Sequence, residues 1–162
     1  MSKILTLPIT IILSLLTLNN STELSTSGET DYEQNLNTAS EYYLLKKEIP
    51  ELILIKLVPR NYDEFELFYG TTGPNHRLGK TEFFYDTTQQ IFEQVITKKN
   101  YDFYLPSLNL ASFADGEYAE EFIDNLNIII DMDKERFCNS VSEIKLKNRN
   151  PIKYYIDLHQ CK

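Results

Sequence analysis

The 162-residue sequence is short of positive charge, cysteine and histidine, and each shortage removes a class of function. Lys and Arg number 16 against 24 Asp and Glu, a net charge of -8, which excludes a protein that grips nucleic-acid phosphates electrostatically. There are two Cys and two His, and neither His76 nor His159 has a second ligand at a recognised spacing, so no metal site and no cofactor is implied. Gly-x-Ser-x-Gly and His-Glu-x-x-His are both absent, which leaves no signature of hydrolytic catalysis. Ala, Gly and Arg together number 13, no more than Asn alone, while Ile reaches 16. That skew follows AU-rich codons, so the abundance of Asn, Lys and Tyr carries little functional weight.

What is present describes one globular domain. Hydrophobic residues make up 42% of the chain and aromatics 12%, enough to fill a core, and the length suits a single domain.

Residues 1–21 read as an export signal, with Lys3 as the positive n-region and Ile4 to Leu18 as the apolar stretch. As a helix that stretch would reach only about 22 Å, short of the roughly 30 Å needed for a permanent anchor. Removing it takes away Lys3 and no acid, so the exported chain is more acidic still and keeps no stable membrane anchor. Residues 22–30, rich in Ser, Thr and Glu, read as a flexible leader, and residues 31–162 as the folded domain. The expected location is the periplasm or the exterior, where Cys138 and Cys161 are most simply a disulfide worth about 3 kcal/mol in the chain-entropy model.

From Asp31 onward the periodicity is helical, and an all-α fold is predicted. The clearest helix follows Asp115, its expected N-cap: Tyr118, Ala119, Phe122, Ile123, Leu126, Ile129 and Ile130 make one apolar stripe, with Glu117, Glu120, Glu121, Asp124 and Asn125 on the polar side. Asp102 is expected to cap a helix with Pro106 in its first turn, and Asp133 one that carries Phe137, Cys138, Val141 and Ile144. Another helix runs from about Phe84 to a stop at Lys98-Lys99-Asn100. Earlier come a helix from about Asp31 to Glu48, a short one over 52–58, favoured over a strand because no second strand-like run exists to pair with it, and a segment from Tyr62 to Tyr69 capped by Asn61 and stopped by Gly70. Residues 151–162 could be helix or strand. Short connections favour antiparallel helix pairs. Over residues 80–147 these pairs resemble HEAT-type α-α repeats, without a repeated motif, and an irregular bundle fits equally well.

Two strings imitate ligand loops. Gly73 to Thr81 ends like a phosphate loop, but it has five spacer residues where four are needed and Pro74 where a Gly N–H belongs, so no nucleotide binding is expected. Asp131-Met132-Asp133-Lys134-Glu135 begins like a calcium loop but has Arg136 at position 6 and Ser142 at position 12, so it reads as a helix cap.

The function expected from this pattern is an exported, small, acidic helical protein that binds another protein, in the manner of an inhibitor or immunity protein. Its candidate face is Glu117, Glu120, Glu121 and Asp124, directed at a basic partner. The alternatives are an enzyme with a site near His76, Arg77 and Lys80 in the 71–80 loop, or a carrier of a small ligand between helices.

Overall fold

The computed structural model describes residues 30–161; the expected export signal and all of the expected leader but Thr30 lie outside the described residues. The fold is all-α. Its helices are α1 (Asp31–Leu44), α2 (Glu51–Leu54), α3 (Tyr62–Tyr69), α4 (Phe83–Ile96), α5 (Tyr104–Ala111), α6 (Ala119–Met132), α7 (Lys134–Ser140) and α8 (Ile152–His159). No strand occurs among the described residues. None of these helices is long and apolar enough to cross a membrane.

Helix starts follow local capping chemistry. Thr30 belongs to the fold: its Oγ1 accepts from the Glu33 N–H at 3.2 Å while Glu33 accepts from the Thr30 N–H at 2.7 Å, a reciprocal capping box. Asn61 caps α3 through the Glu64 N–H at 2.9 Å, and Asp133 caps α7 through the Arg136 N–H at 2.9 Å. Residues 52–58 are helical, α2 followed by a 3-10 turn over Ile55–Leu57, with Pro50 at the cap.

Several boundaries differ from the sequence pattern. Helix α1 ends at Leu44, four residues before Glu48, because Lys46 turns to φ 54 and the Lys46 and Lys47 N–H groups fold back on the Tyr43 and Tyr42 carbonyls. Asn100, not Asp102, supplies the cap near α5: its Oδ1 accepts from the Asp102 N–H at 3.2 Å and starts a 3-10 turn ahead of the helix, which leaves Pro106 in the first turn of α5. Asp115 caps the 3-10 turn Gly116–Tyr118, where Gly116 takes φ 70, and α6 begins only at Ala119. Val141 and Ile144 lie beyond α7, and Gly70 continues α3 into a 3-10 turn instead of stopping it. The tail residues 152–159 are helical.

Helices α4, α5 and α6 pack on one another and set the architecture. Tyr85 meets Glu117, Gln89 meets Asn125, and Lys99 reaches Met132, so positions rise together along α4 and α6 and these two helices run parallel. Helix α5 returns between their ends, with the Ser107 hydroxyl on the Ile91 carbonyl at 3.4 Å. Antiparallel neighbours with a parallel α4–α6 contact are common to an irregular bundle and to a stack of helix pairs.

The core is aromatic and centred on Phe84, which is 1% exposed. Its ring lies 6.1, 4.9 and 5.3 Å from Phe65, Phe68 and Tyr69 of α3, 5.6 Å from Tyr118, and 6.3 Å from Phe122 of α6. Phe83 extends the cluster to α1 through Tyr43 at 5.2 Å. Offset and edge-on ring pairs of this kind add to the free energy of apolar burial. At the other end, Cys138 and Cys161 form a disulfide that ties the chain end to α7. Helix α8 buries little besides Ile152 and Tyr155, so the bond holds it against the bundle.

Two stability measurements follow. Phe84→Ala should lower the unfolding free energy by about 3–5 kcal/mol in urea titrations, since it empties the centre of the cluster. Cys161→Ser should lower it by about 2–4 kcal/mol and expose the α8 amides to hydrogen exchange.

Candidate functional site

The carboxylates of α6 and the turn before it form one exposed flank. The 3-10 turn Gly116–Tyr118 buries Tyr118 in the aromatic cluster, and that burial presents Glu117 on the outside. Glu117 then accepts hydrogen bonds from the Tyr69 hydroxyl at 2.6 Å and the Tyr85 hydroxyl at 3.0 Å. Both phenols are anchored in the ring cluster, so the surface carboxylate is positioned by the core. The two donors, Tyr69 first, hold the Glu117 carboxyl below the usual glutamate range.

Further along the flank the environment reverses. Glu121 is half-buried, and its carboxylate has no hydrogen-bonding or ionic partner among the described residues. Burial therefore pushes its pKa up, opposite to Glu117. Glu120 and Asp124 are exposed. None of the four acids forms an ion pair with a described cation. The stripe continues through exposed Ile128 to Asp131, which meets Lys134 at 3.7 Å.

Asn125 does not belong to this polar face. It is 7% exposed and lies in the α4–α6 seam, donating to Gln89 Oε1 at 3.3 Å and to the Glu121 carbonyl at 3.0 Å. A short amide placed between two helices can satisfy both, which an apolar/polar pattern alone does not reveal.

The 71–80 loop is a chain of tight turns closed by the core. Leu78 is fully buried, and Gly79 passes so near Gly73 that a Cβ would lie 1.9 Å from the Gly73 carbonyl oxygen. The N–H groups of His76, Gly79 and Thr81 donate to the Gly73, His76 and Leu78 carbonyls, and the Leu78 N–H to His76 Nδ1 at 3.2 Å. Those donors are spent inside the loop, where a phosphate cradle needs them pointing outward. His76 lines a cleft of about 310 Å³ with Glu33 and Glu66, against α1 and α3. Arg77 lies against Asn37 of α1, 3.4 Å from its carbonyl and amide oxygens. Lys80 is exposed and its ammonium has no partner among the described residues. His76 and Arg77 thus meet beside Asn37 at this cleft, whereas Lys80 does not line it.

Buried and half-buried tyrosines across the fold link its electrostatics to stability. Tyr43, Tyr85, Tyr104 and Tyr118 are each pushed up to about 12, first by burial and then by Asp86, Glu117, Asp133 and Asp115 respectively. Between pH 10 and 12 the unfolded chain has released phenolic protons that the folded chain still holds, so stability is fully present below pH 10 and falls as the pH rises through this window. Absorbance at 295 nm should show a group of tyrosines ionising near pH 12, and the urea midpoint should drop between pH 10 and 12. Uniform ionisation near pH 10 with an unchanged midpoint would contradict this.

The chain matches no protein-family model, no curated protein and no solved structure.

Proposed function

We propose that this chain is an exported protein-binding module, of the inhibitor or immunity type, that receives a basic surface of its partner on the α6 flank. The observation that carries this reading is the set of four carboxylates, Glu117, Glu120, Glu121 and Asp124, with no cation paired to them among the described residues. Glu121 matters most. A half-buried carboxylate without a partner is destabilised, and an arginine or lysine brought by a partner would relieve it by direct pairing. Glu117, held by two phenols, offers a fixed acceptor beside it, while Glu120 and Asp124 add long-range attraction that speeds encounter with a positive surface.

Export is supported by the n-region and apolar stretch of residues 1–21 and by the Cys138–Cys161 disulfide, which suits an oxidising compartment.

The test compares the protein with a charge-reversed variant carrying Glu120→Lys, Glu121→Lys and Asp124→Lys. The native protein, immobilised, should retain a basic protein from the exterior fraction of its own host at low salt, with association at least about tenfold faster than for the variant. Equal retention and equal rates for both proteins would defeat the proposal. The substituted positions are not core positions, so circular dichroism should show the variant folded.

A further inference from the structure

Charge decides which face of this chain can meet its own copy. With a net charge of -8, two copies repel over most of their surfaces, and the α6 flank, whose carboxylates form no ion pair with a described cation, cannot face itself. The end of α1 is different. Leu44 and Leu45 are 45% and 64% exposed there, held outward as the chain turns off the helix at Lys46. Leu44 joins Tyr43, Lys46, Lys47 and Gln90 around a cleft of about 530 Å³.

Both charge signs meet around these leucines. Lys46 and Lys47 have no partner for their ammonium groups among the described residues, and Lys98 reaches Glu48 at 3.8 Å in a contact whose carboxylate is 84% exposed. Asp86 accepts from the Tyr43 hydroxyl at 2.6 Å, and Glu82 acts on the same phenol. Three cations, Lys46, Lys47 and Lys98, thus share this end of the fold with the exposed carboxylates Glu41, Glu48, Glu82 and Asp86.

We propose that this surface is a homodimer interface, on which a second copy of the chain docks about a twofold axis. A twofold contact requires one patch to carry its own apolar centre and both charge signs. Here Leu44 and Leu45 pack on their counterparts, while Lys46 and Lys47 of each copy face the carboxylates of the other. A purely basic protein would be opposed by the three lysines, and an anionic membrane by Glu48, Glu82 and Asp86.

Sedimentation equilibrium of the protein at low salt, between about 1 and 500 µM, should show a monomer–dimer equilibrium. Leu45→Asp should raise the dissociation constant at least about tenfold. Lys47→Glu should also weaken it, and adding Glu48→Lys to that variant should restore much of the loss, because both signs are then exchanged within the same patch. Circular dichroism monitors folding of each variant; Leu45 and Lys47 are exposed, so their replacement leaves the core intact. Monomer at every concentration overturns the proposal, as does a dimer indifferent to both Leu45→Asp and Lys47→Glu. Association with phosphatidylglycerol vesicles in place of self-association overturns it too.

Discussion

Phe84 is surrounded by the rings of Phe65, Phe68, Tyr69, Tyr85, Tyr118 and Phe122, and this packing joins α3, α4 and α6 before any polar contact is considered. Large flat side chains bury much apolar area per residue and lose little rotamer freedom, so they hold short helices that could not persist alone. Helix α3 has only eight residues, yet Phe65 and Phe68 are both buried by the cluster. The same rings set the surface. Tyr69 and Tyr85 carry their hydroxyls outward to Glu117, so the geometry of the acidic flank is inherited from the core.

The flank consequently holds carboxylates of unlike character on one short stretch of chain. Glu117 is kept ionised by phenolic donors, whereas Glu121 is desolvated with no described group to offset the loss. On acidification the Glu117 contribution to stability is lost as the pH falls through its lowered pKa. Glu121 works in the other direction, since protonation relieves its burial. An uncompensated carboxylate costs the isolated fold, and a cationic partner can recover that cost. The end of α1, with charges of both signs and exposed leucines, has a different character.

The helices were legible where short-range rules apply. The stripe of Phe122, Leu126, Ile129 and Ile130 is buried as its spacing requires, and Asn61 and Asp133 cap as their positions suggest. The Thr30-x-x-Glu33 capping box was also present as a pattern, but the leader reading of residues 22–30 passed over it. Ends of helices were less legible, because Asn100 and Asp102 are both good caps and the choice depends on how the chain leaves α4. Least legible was the site: Tyr69 and Glu117 are 48 positions apart, and no local spacing rule connects them. Asn125 and Leu78 went unrecognised for the same reason, being buried by elements distant in sequence.

Carboxyl-resolved NMR titration tests most directly whether the core differentiates this flank. Glu117 should titrate below the ordinary glutamate range and Glu121 above it. Replacing Tyr69 and Tyr85 by Phe should release the Glu117 shift while leaving Glu121 raised. Equal pKa values for the two carboxylates in the native protein, or a Glu117 value unmoved by loss of both phenols, would contradict the account.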